Sequence, residues 1–173
     1  GDRPEPEAQA GGVKVRVKAT ALNRLDLYTR AGGRGLDREF PPPLILGGDC
    51  AGEIVAIGDG VTTLKAGDRV VVNPRISCMQ CAACLAGQDD LCRNENFLGS
   101  AIDGSYAEMV SVPAANVHTI SDDVTYEMAA AVPTTYLPMW NMLQRKIQIK
   151  PWETVLVLSA SAGVGTAAIQ VAS

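Results

Sequence analysis

Four cysteines follow one another as Cys78-x2-Cys81-x2-Cys84-x7-Cys92, and no other feature restricts the fold of this 173-residue chain as strongly. The residues between them are mostly small or polar, so the segment can wrap one tetrahedral ion. Four thiolates suit zinc at about 2.3 Å per bond, and a closed shell of four sulfurs leaves no position for water or substrate. The spacing therefore predicts a structural Zn2+ held by Cys78, Cys81, Cys84 and Cys92. Disulfides and an iron-sulfur cluster are the competing readings. The bacterial iron-sulfur pattern places its fourth cysteine after three residues and follows it with proline, whereas seven residues intervene here and Arg93 follows. A cluster of this density outside a secreted chain more often holds metal than disulfides. Cys50 stands apart from it.

Hydrophobic residues make up 47% of the chain and charged residues 20%, with a net charge of -4, which is near the average for globular proteins and gives no strong field of either sign. Lysine and arginine are scattered, so nucleic acid is not an expected partner. No run of about 18 apolar residues occurs, and the opening Gly1 to Glu7 is polar and proline-rich, unlike a signal peptide. The expectation is a soluble cytoplasmic protein that makes no membrane contact.

Val13 to Ala19 alternates apolar and charged residues, which places the valines on one face of a half-buried strand. Shorter strand-like runs follow at Gly52 to Ile57, Arg69 to Val72, Tyr106 to Val112 and Asn116 to Ile120, bounded by Gly, Pro or Asp, a pattern that suggests a barrel or sandwich. The texture changes near Asp122. A helix over Met128 to Ala131 is expected, ended or kinked by Pro133, and a second over Met139 to Gln148. Thr154 to Leu158 reads as a buried strand, and Ser159 to Gly165 as a small-residue turn into a helix. The predicted organisation is a mainly β domain over residues 1–125, then connecting helices and the first strand-turn-helix of an α/β Rossmann domain over 126–173. One such unit cannot make a parallel sheet, so the chain reads as part of a longer polypeptide.

These elements, in this order, resemble the medium-chain dehydrogenase/reductase superfamily, which joins a GroES-like catalytic domain to a nucleotide-binding domain. The resemblance spans nearly the whole chain. It rests on Ala21 to Gly32, Leu46-Gly47-Gly48-Asp49-Cys50-Ala51-Gly52, Gly67-Asp68-Arg69-Val70, the cysteine lobe and Gly104-Ser105-Tyr106-Ala107-Glu108. Zinc alcohol dehydrogenases of this superfamily bind a second, catalytic zinc through a Cys, a His-Glu pair and a later Cys or Asp. At the matching positions stand Asn23, Gly48-Asp49 and, approximately, Thr134. Asp49 with Cys50 is the one weak metal pair left nearby. The stretch Asn23-x-x-Asp26-x-Tyr28-x-Arg30-x-Gly32 resembles the quinone oxidoreductase branch, which reduces enones and quinones without a catalytic metal.

The resemblance implies an NAD(P)H-dependent oxidoreductase, with NADP or NAD as cofactor, acting on small carbonyl, enone, quinone or alcohol substrates. A homodimer or homotetramer of the full-length protein is also implied. Zinc-type alcohol dehydrogenation and a non-catalytic zinc-stabilised module are the alternatives. Without a Lewis acid, hydride addition to an enone needs chiefly positioning and a donor for the developing oxyanion. Asn23 and Tyr28 are the candidate donors and Asp26, with Arg30, the brace; a turn or helix cap is the plainer reading of Asn23 and Asp26, and packing that of Tyr28. Ser161, Gly163, Val164 and Gly165 are expected against the cofactor pyrophosphate, with helix packing as the alternative for the glycines, and Thr134 is expected at the cofactor. Where relatives commonly read Leu-Thr-Ala-Trp beside the nicotinamide, this chain has Leu137-Pro138-Met139-Trp140, which removes a hydroxyl and an amide donor. His118 is expected to be exposed and without a role, and Trp140 and Trp152 to lie in a core.

Overall fold

The structure, a computed structural model, describes residues 3–32 and 43–173. Its centre is a five-stranded antiparallel sheet in the order β6-β1-β2-β3-β7, built from β1 (Gly12–Thr20), β2 (Cys50–Ile57), β3 (Arg69–Val72), β6 (Met109–Pro113) and β7 (Val117–Thr119). The alternation in β1 does what it predicts: Val13 and Val15 are fully buried, while Arg16 is exposed. These valines meet Ile54, Val70, Val72, Val110, Val112, Val117 and Leu98 in one core. A two-stranded ribbon of β4 (Arg75–Ile76) and β5 (Asn96–Phe97) flanks the cysteine lobe.

β1 and β2 pair from Val13 opposite Ile57 to Thr20 opposite Cys50, with irregularities after Lys14 and between Val17 and Ala19. At Gly52, opposite Val17, a Cβ would lie 2.0 Å from the carbonyl oxygen of Arg16. Only glycine lets the two backbones come this close.

Two strands are shorter than expected. β6 starts at Met109, not Tyr106, because the preceding amides are taken by another loop: Gly104 donates to Ile45 at 2.8 Å, Ser105 to Gly47 at 2.8 Å and Tyr106 to Leu46 at 2.9 Å. β7 shrinks to Val117–Thr119 because Ala114–Asn116 forms a 3-10 turn, from which the Asn116 side chain donates to the carbonyls of Asn73 and Arg75 at 3.0 and 2.7 Å.

The helical part begins at α3 (Tyr126–Ala130), whose N-cap Thr125 accepts the Met128 amide. Pro133 ends α3 and occupies the first turn of α4 (Pro133–Trp140), where its missing N–H is no loss. The helix continues through Pro138 and widens into a π-helical segment, Asn141–Ile147, stopped by Gln148 at φ 57°. The last helix, which packs on α4, is α5 (Gly163–Ala172); Met139, Ala167 and Ala168 form their small shared core. Thr154 to Leu158 does not form the predicted strand. No described strand lies beside the segment to supply hydrogen-bond partners, and Leu156 is 83% exposed. Trp140 and Trp152 are also not core residues, being 56% and 81% exposed. His118 is exposed.

Gly52→Ala is expected to destabilise the sheet by about 3 kcal/mol, the upper range for overpacking, because the obstructing atom is backbone. Urea unfolding checks this, and a change below about 0.5 kcal/mol, the size of an ordinary surface effect, would contradict the close approach.

Candidate functional site

The site is assembled where α1 begins. α1 spans Arg24–Arg30 with Asn23 as its extended N-cap. Asp26 lies one turn in, and its carboxylate accepts the Asn23 backbone N–H and the Tyr106 hydroxyl, both at 2.7 Å. The Asp26 amide donates back to the Asn23 carbonyl at 3.1 Å, so the turn is closed from both sides. Burial, and then the Asp26 carboxylate to which it donates, hold the Tyr106 proton well above the usual phenol range.

This leaves the Asn23 amide free to face the sheet, where its Nδ2 donates to Asp49 Oδ2 at 2.9 Å. Asp49 precedes β2 and is 0% exposed. Its Oδ1 accepts the Thr134 hydroxyl at 2.7 Å and the Thr134 amide at 3.2 Å, across 85 positions of sequence. Its backbone carbonyl accepts Thr20 Oγ1 at 2.7 Å and Ser105 Oγ at 3.1 Å. Burial raises the Asp49 carboxyl above its ordinary value, and the hydrogen bonds from Thr134 and Asn23 offset part of that rise.

Asn23, Asp49 and Thr134 are thus brought together, at the positions where the resemblance places catalytic zinc ligands. They do not fit that ion. Only Asp49 is a good ligand, and its oxygens already accept hydrogen bonds from the other two. The fourth position is Gly48, which has no side chain to offer, and a Cβ there would crowd the Phe97 ring at 3.0 Å. Cys50 is no partner for Asp49 in metal binding either. It is buried in the sheet core, where burial, and then the Asp49 charge, push its thiol up to about 12.

The other predicted residues lie farther along the chain. Tyr28 is 37% exposed on α1. Ser161, Gly163, Val164 and Gly165 occupy the turn into α5, with Ala162 as its N-cap. A Cβ on Gly165 would sit 2.3 Å from the Ser159 carbonyl oxygen, so close packing of the turn against α5 already requires glycine there. Tyr106, Ser105 and the central place of Asp49 were missed as site features. Gly104 to Glu108 carried a family signature without a chemical reason, and only the fold brings Tyr106 to Asp26.

In the cysteine lobe, α2 (Ala82–Leu85) carries Cys84, and the four sulfurs lie within 4.8 Å of one another. Measured pairs are 3.5 Å for Cys81–Cys84, 3.9 Å for Cys78–Cys84 and 4.0 Å for Cys81–Cys92. Tetrahedral zinc with bonds of about 2.3 Å needs sulfurs about 3.8 Å apart, and a disulfide needs about 2.05 Å. The cluster therefore fits a structural zinc ion, and no cysteine is disulfide-bonded. Backbone amides of Gln80 and Cys81 lower Cys78 to about 6, while burial and the neighbouring thiols raise Cys84 to about 12. Four thiolates this close require a cation.

Residues 9–122 match the alcohol dehydrogenase GroES-like domain. The chain belongs to that family. It is 32% identical over 171 residues to the L-threonine 3-dehydrogenase of Francisella tularensis subsp. novicida, covering 99% of this chain and 48% of that protein. Among solved structures it resembles an NAD-dependent alcohol dehydrogenase with TM-score 0.93 and 42% identity, over 99% of this chain and 50% of the other. A cobalt- and zinc-bound thermostable alcohol dehydrogenase from Pyrobaculum aerophilum gives TM-score 0.87 and 35% identity, over 98% and 50%. The chain spans about half the length of these relatives.

Asp49→Ala is expected to lower stability by about 1–3 kcal/mol, because it leaves the Asn23 amide and the Thr134 N–H without their acceptor. The raised Asp49 value also fixes a pH dependence. Folding favours the protonated carboxyl, so its contribution is full below the unfolded value of about 3.9 and is lost as pH rises through the folded value. The unfolding free energy of the parent relative to Asp49→Asn should therefore fall with rising pH over the range above about pH 4. Urea titrations across that range that show a constant difference would refute the shift.

Proposed function

We propose that this chain is the substrate-side part of an NAD(P)H-dependent oxidoreductase of the quinone oxidoreductase type, which reduces enones, quinones or related carbonyls with structural zinc only. The observation that carries this reading is the closed Asn23–Asp49–Thr134 cluster, with Phe97 against Gly48, where a catalytic zinc would need ligands. Similarity to dehydrogenases supports the oxidoreductase class.

Bound nicotinamide supplies the hydride in this chemistry. The chain's residues divide the remaining tasks. Asn23 has a second amide hydrogen beyond the one given to Asp49, and with the Tyr28 hydroxyl it would donate to the substrate carbonyl oxygen, where negative charge develops. Thr134 gives its hydroxyl hydrogen to Asp49, so toward cofactor or substrate it can only accept. Asp26 fixes the start of α1 and, through it, Asn23. The amides at the start of α5, from Gly163 to Gly165 with Ser161 before them, would receive the pyrophosphate. The four cysteines would hold one zinc that shapes the lobe and takes no part in hydride transfer. A homodimer or homotetramer of the longer polypeptide completes the proposal.

Alcohol dehydrogenases among the structural neighbours favour a second reading, alcohol oxidation at a catalytic zinc. The two differ in metal content. One zinc per chain by elemental analysis, together with NADPH-dependent reduction of a simple enone by the full-length polypeptide, is the expected result. Two firmly held metal ions would establish the alcohol dehydrogenase reading, and one zinc without nicotinamide binding would leave a structural module. Within the lobe, Cys92→Ser should lower zinc content and cause local unfolding, visible as faster amide exchange over residues 78–92 than in the five-stranded sheet.

A further inference from the structure

Between the cysteine lobe and α4 runs a groove of about 440 Å³. Thr134, which donates to Asp49, is part of its lining, so the groove adjoins the cluster described above. Its walls are mainly apolar and include two aromatic rings, Phe97 from β5 and Trp140 from the end of α4, together with Leu137, Pro138 and Met142. Trp140, Leu137 and Met142 are each more than 40% exposed, an unusual concentration of large apolar side chains on one surface of a soluble domain.

The charged groups of the lining balance. Arg75 and Arg145 face Asp89 and Asp90, two of each sign. Arg75 pairs with Glu95 at 2.5 Å and Asp90 with Lys146 at 2.9 Å. The groove thus offers flat apolar surface and no net charge. Its volume lies within the range of small-ligand sites, about 300–1,000 Å³.

We propose that this groove binds a neutral aryl group, so that the substrate is an aryl-substituted carbonyl compound whose ring rests against Phe97 and Trp140 and whose carbonyl points toward Asn23. The placement of the carbonyl rests on the hydride-transfer reading; the aryl preference does not. Flat rings gain stacking as well as burial against aromatic side chains, which an alkyl chain of equal length lacks. An anionic aryl compound gains nothing from the balanced rim and must lose part of its hydration.

The test uses binding alone, with no nicotinamide present. Three unreactive probes are titrated into the zinc-loaded chain while the indole N–H signals of Trp140 and Trp152 are followed by NMR: benzylacetone, its saturated-ring counterpart 4-cyclohexylbutan-2-one, and the anion hydrocinnamate. Trp152→Phe assigns the two signals. Benzylacetone should move the Trp140 signal and bind at least about threefold more tightly than 4-cyclohexylbutan-2-one and hydrocinnamate, the gain expected of aromatic contact beyond burial alone. Trp140→Ala, an exposed position that can be changed without opening the core, should weaken benzylacetone about tenfold, and Phe97→Leu should weaken it severalfold. Equal affinity for benzylacetone and 4-cyclohexylbutan-2-one, movement of Trp152 in place of Trp140, or unchanged binding in Trp140→Ala would overturn the proposal. Aryl binding without any hydride transfer to aryl enones would leave this site standing and reject the proposed function. Hydride transfer with no aryl preference would do the reverse.

Discussion

A single buried carboxylate, Asp49, organises the candidate site. Its two oxygens receive the Asn23 amide, the Thr134 hydroxyl and the Thr134 N–H, while its backbone carbonyl receives Thr20 and Ser105. Burying a carboxylate is costly unless donors surround it, and here they come from the N-cap of α1 and from α4, while β1 and the loop before β6 hold the backbone carbonyl of the same residue. The carboxylate therefore does mechanically what a metal ion does in a ligand cluster: it gathers groups distant in sequence at one point. It differs in chemistry, because a hydrogen-bonded carboxylate cannot polarise a carbonyl as a Lewis acid does. In the proposed reaction, polarisation would come from neutral donors such as Asn23 and Tyr28, which suits substrates whose developing charge is spread over a conjugated system.

The cysteine lobe depends on electrostatics of the opposite sign. Its sulfurs are at zinc-like separation, and Cys84 resists ionisation strongly while Cys78 ionises readily. A divalent cation converts this mixed set into four thiolates, so metal affinity and folding of the lobe are the same free energy. The lobe's contribution to the groove beside α4 is indirect: it lies next to the β4–β5 ribbon that carries Phe97.

Much of the fold was legible because its signals are local. The valine alternation of β1 depends only on a period of two, and the cysteine spacing on the reach of a short loop. Where non-local partners decide, reading failed. Tyr106 looked like the first residue of a strand, but its amide goes to Leu46 and its hydroxyl to Asp26. Thr154 to Leu158 has the composition of a buried strand and stays exposed, since composition supplies no neighbour to pair with. The absence of zinc ligands at Asn23 and Gly48 could be read directly. That Asp49 would tie the remaining groups together could not, because the contact with Thr134 joins residues 85 positions apart.

The same contact decides how the helical part is held. α4 and α5 share a small core around Met139, Ala167 and Ala168, and much of the following apolar surface is exposed. Besides Asp49–Thr134, the polar links from the α4 region to the lobe are Lys146–Asp90 at 2.9 Å and the long Asn141–Asp90 contact at 3.4 Å. Exposed ion pairs such as Lys146–Asp90 contribute at most about 1 kcal/mol and weaken with salt. The buried Asp49 contact is shielded from salt and costly to break, so it sets the position of α4 relative to the sheet. Trp140, Pro138 and Thr134 all ride on that helix. The width of the groove and the reach of Thr134 are therefore fixed together, by a carboxylate that need not itself touch the ligand.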